Sequence, residues 1–175
     1  MTDEKSLYLV IRYGPLSEGP ADPISAHREL LDLYGCVWFG KVGRRLSHPV
    51  ATELKRVIDA GGDAFLYLVR RSKQDYVAYK CRMVAISFGF PKHRREQIPK
   101  YYKQTGMIRF MKSFVLVNSL DDVRSLREER LFVTSSGRNI LDVLPESSAG
   151  YFRVEKRNGG ERQGSAFANR APLSS

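Results

Sequence analysis

The sequence predicts an α+β fold: a curved mixed sheet or open β-barrel with flanking helices. Three observations support this: strand and helix patterns alternate in the first third of the chain, hairpin-linked strands follow, and helices then become few. A doubly wound sheet would need more crossover helices than these patterns provide. The chain of 175 residues suits one domain, predicted over residues 1–154, with a disordered basic tail over residues 155–175.

The first part of the chain alternates two strands with two helices. Residues 6–13 alternate in side-chain character and predict a strand, and a Gly- and Pro-rich loop separates it from a short helix capped by Ser25. The apolar and aromatic residues 36–42 predict a second strand or a buried loop edge. Apolar residues at helical spacing predict a helix over residues 47–60, with Ser47 as its cap.

The remainder is predicted to be mainly strands. Residues 64–70 and 76–90 form a hairpin whose long second arm bends near residues 82–85. Alternate residues of that arm, from Val77 to Ala85, are expected on one side of the sheet. Later elements are predicted as a polar excursion with one helical turn at 91–106, a strand at 107–118, a helical turn at 119–122, a strand at 131–133, a short helix at 137–144 and a last strand at 150–154.

The charge balance is strongly basic. Twenty-nine Lys and Arg residues against nineteen Asp and Glu give a net charge of +10 and a pI near 9.8. Such an excess attracts phosphate backbones through counterion release and is typical of nucleic-acid-binding domains. A basic surface with no nucleic-acid partner is the alternative, so charge alone does not decide the function.

The sequence predicts a cytoplasmic protein with no membrane partner. No apolar run approaches the length of a membrane span, and the N-terminus lacks the apolar core of a signal peptide. Cys36 and Cys81 stand alone, without a CxxC motif or a histidine at ligand spacing. We therefore expect two buried, reduced thiols and no zinc site.

Signatures of catalysis are absent, so the protein is predicted not to be an enzyme and to have no catalytic residues, cofactor or metal. There is no phosphate-binding glycine loop, GxSxG, HExxH or dinucleotide fingerprint. Asp63, Asp75 and Lys80 allow a small Mg²⁺-dependent nuclease as an alternative, because such sites gather carboxylates and a lysine. The two aspartates fit a strand start and a hairpin turn better.

Three stretches favour ligand binding. In the first, Trp38, Gly40 and Lys41 provide an aromatic platform beside a cation, with Arg44 and Arg45 following, an arrangement able to stack a base and pair a phosphate. Burial of the Trp38 and Phe39 rings in the core is the alternative. The second interleaves cations with aromatic rings, and the third is the hairpin tip. Their candidate residues are Lys92, Arg94, Arg95, Tyr101 and Tyr102 in the second, supported by Lys100, Lys103, Arg109 and Lys112, and Arg70, Arg71 and Lys73 in the third.

The order of elements resembles a known superfamily. The Trp-containing segment is followed by a helix, the strand Gly-Asp-Ala-Phe-Leu-Tyr-Leu, its partner Tyr-Val-Ala-Tyr-Lys-Cys-Arg-Met-Val-Ala-Ile, and the later segments 110–114 and 147–152. This pattern is similar to the PUA-like superfamily, most of all to its EVE and YTH branch. The resemblance covers residues 6–154 and implies a curved sheet or open barrel with an aromatic-walled pocket for a flipped, modified base.

The resemblance assigns roles by position. Trp38 matches a pocket wall, Gly40 and Lys41 lie beside it, and Tyr67 and Tyr79 are further candidates. With a single tryptophan in the chain, Tyr101, Tyr102 or Phe110 must supply a second wall.

The leading hypothesis is a non-catalytic reader of a modified or flipped base, in DNA or RNA and including single strands, within bacterial defence or nucleic-acid processing. A protein-interaction adaptor that uses the same aromatic face is the alternative, with a protein partner in place of nucleic acid.

Overall fold

The computed structural model describes residues 6–13 and 22–159, and these form an α+β architecture around one mixed eight-stranded sheet. The strands are β1 (Leu7–Arg12), β2 (Val37–Val42), β3 (Ala64–Ser72), β4 (Asp75–Phe88), β5 (Met111–Val117), β6 (Asp121–Val123), β7 (Leu131–Val133) and β8 (Tyr151–Lys156). Their order is β2-β5-β4-β3-β1-β8-β7, and β6 pairs with β4 outside this path. Only β1 and β3 pair in parallel, and the described sheet does not close into a barrel.

Four α-helices accompany the sheet in the described ranges: α1 (Pro23–Tyr34), α2 (His48–Asp59), α3 (Tyr101–Gln104) and α4 (Ile140–Val143). None of them has the length and apolarity that a membrane span requires. The cap of α1 is Asp22 rather than Ser25, because the Asp22 carboxylate accepts from the Ile24 N–H (3.0 Å) and from the Ser25 hydroxyl. Ser47 precedes α2 as predicted but makes no side-chain capping bond.

Three segments differ from their prediction in ways that affect the sheet. Residues 121–123 form β6 and not a helical turn, since the Ser119 hydroxyl accepts from the Arg82 N–H (2.9 Å) and ties this segment to β4. Residues 107–110 form a 3₁₀ turn, so β5 starts only at Met111. β8 extends to Lys156, which gives the sheet the first two residues of the predicted tail. The tail from residue 160 onward lies outside the described residues.

The predicted bend in β4 is confirmed by a register shift between Met83 and Ala85 in the pairing with β5. A shift of one residue exchanges the two faces of a strand. Cys81 and Met83 therefore pack in the main core together with Ile86, whereas Ala85 packs with Trp38 on the other side. The expectation that Ala85 shares a side with Cys81 is wrong for this reason.

The edge strand β2 separates two of the three hydrophobic clusters. Phe39 packs in the main core, which α1 and α2 cover, and Trp38 packs in a smaller cluster with Tyr101, Tyr102 and Phe114. Successive side chains of a strand point to opposite faces, so one short segment supplies both clusters. The connection between β4 and β5, residues 89–110, folds over the Trp38 side and builds the surface described next.

Candidate functional site

A cavity of about 320 Å³, which we name the Trp38 cavity, lies where the β4–β5 connection leaves the sheet. Trp38, Leu116 and Ala85 form one row across β2, β5 and β4, because Trp38 pairs with Leu116 and Leu116 with Ala85. The other lining residues come from the end of β4 and the start of the connection: Ile86, Ser87, Phe88, Phe90, Pro91, Lys92, His93 and Arg94. The cavity thus joins an aromatic floor to a basic rim.

The Trp38 indole lines this cavity, as a base-stacking platform would, but it is only 5% exposed, as a core ring would be. The structure therefore agrees in part with each of the two interpretations. Its Nε1–H is buried and has no hydrogen-bond partner among the described residues. A buried donor without an acceptor costs about 1–3 kcal/mol relative to a paired one. The Trp38 ring is therefore packed among apolar side chains although its N–H group has no acceptor among the described residues.

Three phenylalanine rings stand exposed around the same end of the sheet. Phe110 is 53% exposed, Phe88 48% and Phe90 37%. A hydrogen bond from the Gly89 N–H to the Lys112 carbonyl (2.9 Å) holds the end of β4 against the start of β5, which brings these segments together. Exposed large rings are unusual on a folded surface and indicate a contact site when they cluster.

Cations accompany these rings. The Arg95 guanidinium lies 5.5 Å and the Lys103 ammonium 5.3 Å from the centre of the Phe90 ring, and Arg109 lies 4.9 Å from that of Phe110. The connection holds six Lys and Arg residues against the single acid Glu96, and all six are exposed. Those six are Lys92, Arg94, Arg95, Lys100, Lys103 and Arg109. Within the described ranges none of them forms an ion pair.

Arg94 is fixed at the rim by an unusual backbone conformation. Its φ of 55° lies in the left-handed region, which costs a non-glycine residue about 1 kcal/mol or more. Its Nη1 donates to the Cys36 sulfur (3.3 Å), and the Cys36 thiol in turn donates to Gln97 Oε1 (2.9 Å). A guanidinium has five N–H donors, so the rest remain available to a ligand. Cys36 and Cys81 are both buried, as predicted.

A second cavity, the Lys41 cavity, has a volume of about 260 Å³ and shares no lining residue with the first. Gly40, Lys41, Tyr101 and Tyr102 line it, so none of them shares the cavity of Trp38, with which the sequence pattern groups them, although both tyrosines pack in the same hydrophobic cluster as Trp38. Gly40 serves packing here: a Cβ at this position would collide with the sulfur of Met111.

A buried hydrogen-bond chain fixes one wall of the Lys41 cavity. His27 Nδ1–H donates to the Pro23 carbonyl (2.8 Å), the Tyr102 hydroxyl donates to His27 Nε2 (2.9 Å), and the Gly40 N–H donates to the Tyr102 oxygen (3.0 Å). This directionality requires a neutral imidazole. Burial lowers the pKa of His27 to about 4, which agrees with that state.

Tyr67 and Tyr79 reach neither cavity, which corrects their assignment as pocket walls. Tyr67 is fully buried on another part of the sheet, where its hydroxyl donates to Glu129 (2.6 Å). Tyr79 packs against Tyr13, with ring centres 6.3 Å apart, and under the Arg28 guanidinium. Tyr67 is on β3 and Tyr79 is on β4, and both lie well away from the β4–β5 connection.

The remaining predicted cations divide into two groups. Arg44 and Arg45 are exposed just after β2, and the neighbouring Gly43 N–H donates to the Phe110 carbonyl (3.0 Å), which places them beside the exposed rings. Arg70, Arg71 and Lys73 lie at the β3–β4 hairpin, at the other end of β4. They do not join the surface formed by the β4–β5 connection.

The residues of the nuclease alternative are also separated. Asp63 precedes β3 and pairs with Arg82 (2.9 Å), whereas Asp75 follows the β3–β4 turn and binds the Tyr76 N–H. The length of β3 puts about 30 Å between them at the usual rise per residue, so the two carboxylates cannot share a metal ion. Among the described residues no group of three potential ligands is placed to bind a metal.

Sequence reasoning misses Phe88, Phe90 and His27. The two phenylalanines fit the end of a predicted strand, and their exposure follows only from where β4 leaves the sheet. His27 could be found from the sequence, because it is three residues after Ile24 on the buried side of α1.

Comparison with models of known protein families, with curated proteins and with solved structures finds no match for this chain.

Proposed function

We propose that the protein binds nucleic acid through the β4–β5 connection and accepts an unpaired base at the Trp38 cavity. The observation that carries this proposal is the combination, on one segment, of six exposed cations that have no acidic partner among the described residues and of exposed phenylalanine rings around a cavity. The proposed activity is recognition without catalysis, in DNA or RNA.

The cations supply affinity for the phosphate backbone. Each Lys or Arg that contacts a phosphate releases condensed counterions, and this term is independent of sequence. A side chain already paired with a carboxylate would have to give up that partner first. Because Lys92, Arg94 and Arg95 have no such partner in the described chain, their full charge is available to phosphates.

The rings supply affinity for bases. Stacking on an aromatic side chain contributes about 1–3 kcal/mol per base and requires that the base be unpaired or flipped. Phe90 is the best placed ring, since it lines the Trp38 cavity, stays partly exposed and packs edge-on against Phe114 at 6.2 Å. An apolar cavity with a basic rim favours a base that carries an additional apolar group, because that group would occupy the cavity. This supports the proposal that the protein recognises modified bases.

The architecture is compatible with a PUA-like fold of the EVE and YTH branch, in which a flipped base enters a pocket near the corresponding tryptophan. The mixed sheet with few helices supports this extension of the proposal. The Trp38 ring would then form the pocket floor and Phe90 its outer wall.

The test compares Phe90→Ala with Phe132→Ala. Both rings lie under a cation, since the Arg157 guanidinium is 4.0 Å from the centre of Phe132, but Phe132 is on β7, away from the connection. Binding of fluorescent single-stranded DNA and RNA oligonucleotides is measured by anisotropy at several salt concentrations. We expect affinity to fall steeply with salt, and Phe90→Ala to lower it by about 5- to 100-fold through lost stacking.

Phe132→Ala is expected to leave the affinity unchanged. Equal losses in the two variants would show a general effect of ring removal and contradict the assignment. Absence of binding at micromolar protein, or binding independent of salt, would reject the proposed function.

A protein-interaction adaptor is the second candidate, favoured by a groove between α1 and α3. Leu33 is 70% exposed and Tyr34 41% exposed along it. Such apolar residues on a helix suit a peptide partner. A pull-down that returned one acidic protein and no nucleic acid would favour this candidate.

A further inference from the structure

The Lys41 cavity contains two cations that have no acidic counterpart in residues 6–13 and 22–159. Lys41 is 5% exposed, and its ammonium donates to the carbonyls of Val42 (3.4 Å) and Arg44. Arg12 also lines the cavity, and its guanidinium donates to the carbonyls of Leu144, Ser147 and Ala149. Every one of these acceptors is neutral, so no described carboxylate offsets either charge.

Asp22 is a carboxylate near this cavity, but its oxygens already accept hydrogen bonds. Asp22 acts on Tyr13 and His27, but its oxygens accept from the Ile24 N–H and the Ser25 hydroxyl in capping α1. Burial lowers the pKa of Lys41. A buried charge of this kind is normally paired, and an anion from outside the protein would provide the missing pair.

The rest of the cavity is apolar. Ile11, Ile24, Phe39, Met107 and Met111 line it together with tyrosine rings. Its volume of about 260 Å³ is just below the range of about 300–1,000 Å³ that holds drug-sized ligands. A ligand must therefore be small, with an apolar body the size of one ring and a single anionic group.

We propose that the Lys41 cavity binds a small aromatic carboxylate, with its anionic group at Lys41 and Arg12 and its ring among the apolar side chains. This site is distinct from the Trp38 cavity, because the two cavities share no lining residue and positions 38 and 41 of a strand lie on opposite faces. The β4–β5 connection contributes Tyr101, Tyr102 and Met107 to the Lys41 cavity but none of its six exposed cations.

Benzoate and benzamide are a matched pair of probes, equal in ring size and different in charge. Binding is followed by NMR through the amide resonances of Gly40 and Gly150, both of which line the cavity. We expect saturable shifts with benzoate and at least tenfold weaker binding of benzamide. Equal affinity for the two, or no saturable shift with benzoate, would overturn the proposal.

Two variants test the role of the lysine. Lys41→Met removes the charge and keeps an unbranched side chain that is one atom shorter, and we expect it to weaken benzoate binding at least tenfold. Gly150→Val keeps the charge but crowds it, because a Cβ at Gly150 would lie 3.4 Å from Lys41 Nζ. We expect a similar loss in this second variant, which does not depend on the stability of Lys41→Met.

Gly159→Val is the matched control, since a Cβ there meets nothing within 4 Å, and it should leave benzoate binding unchanged. Unaltered binding in both Lys41→Met and Gly150→Val would overturn the proposal. Phe90→Ala should also leave benzoate binding unchanged, so the failure of one proposal can be distinguished from the failure of the other.

Discussion

Two regions of this molecule are rich in cations and use them differently. Around β7 and β8, Arg153 pairs with Glu53 at 2.7 Å, Lys156 with Glu129 at 3.0 Å and Arg157 with Glu155 at 2.8 Å. In the β4–β5 connection six cations face solvent or phenylalanine rings, and none has an acidic partner among the described residues. The connection therefore carries a group of cations whose charge no carboxylate of the described residues neutralises.

This comparison distinguishes cations that are paired within the fold from cations that are available to a ligand. The pairs around β7 and β8 are partly buried, with Arg153 22% and Arg157 25% exposed, and two of them attach β8 to α2 and to the segment before β7. The cations of the connection form no ion pair among the described residues, and their proximity to one another is unfavourable without an anion. A count of Lys and Arg alone treats these two groups as equal.

The largest expected effect comes from removing cations from each region in turn. In the triple variant Lys92→Ala, Arg94→Ala and Arg95→Ala, we expect affinity for single-stranded oligonucleotides to fall about 100-fold or more at 0.1 M salt. The slope of log affinity against log salt should also become shallower by about one for each phosphate that the variant no longer neutralises. Anisotropy titrations over a range of salt measure both quantities.

The matched triple variant removes Arg153, Lys156 and Arg157 instead. It takes away the same charge, but we expect the affinity and the salt slope to stay close to those of the unmodified protein. Its stability should fall by roughly 1–2 kcal/mol, since partly exposed ion pairs contribute a few tenths to about 1 kcal/mol each. If both triple variants showed the same drop in affinity, the contrast between the regions would be wrong.

A second prediction concerns how the connection is attached to α1. The His27–Tyr102 hydrogen bond requires a neutral imidazole, and burial lowers the pKa of His27 in the fold to about 4, compared with about 6.5 in an unfolded chain. The unfolded state therefore takes up a proton first, and stability is lost as pH falls from about 6.5 through 4. The expected loss is about 3 kcal/mol.

Urea unfolding at pH 7.5 and pH 4 measures this loss, and His27→Gln is the comparison because glutamine does not titrate. The variant should be less stable at pH 7.5, but its stability should change less between the two pH values by about 3 kcal/mol. Carboxylates contribute equally to both proteins, so they cancel in the difference. Parallel pH profiles would show that His27 does not couple the connection to α1.

Much of the sheet could be predicted from local pattern. The strands at 7–12 and 131–133 and the helix at 48–59 match their predicted positions closely, because their apolar spacing has one clear period. The segment at 119–122 could not, since the Ser119 hydroxyl accepts a hydrogen bond from β4 that no local pattern contains. The register shift at Met83 likewise depends on the pairing with β5 and reverses the side of Ala85.

The cations of the candidate site could be predicted from the sequence, but the positions of its side chains relative to one another could not. Interleaved charge identifies Lys92, Arg94 and Arg95 as candidates, and they do lie at the rim of the Trp38 cavity, although Arg95 does so through Phe90. Proximity in sequence groups Trp38 with Lys41, three residues further on. Three residues along a strand place side chains on opposite faces, which the strand assignment itself implies.

The smallest expected effect, from Trp38→Phe, tests whether the tryptophan is only a core residue. Phenylalanine removes the unpaired indole N–H, which stabilises the fold, and leaves unfilled space, which destabilises it. We expect these terms to offset to within about 1 kcal/mol in urea unfolding, while affinity for oligonucleotides falls a few-fold because the cavity floor is smaller. A stability loss above about 3 kcal/mol with unchanged affinity would instead make Trp38 a packing residue, and the contact with bases would then depend on Phe90 and its neighbouring cations alone.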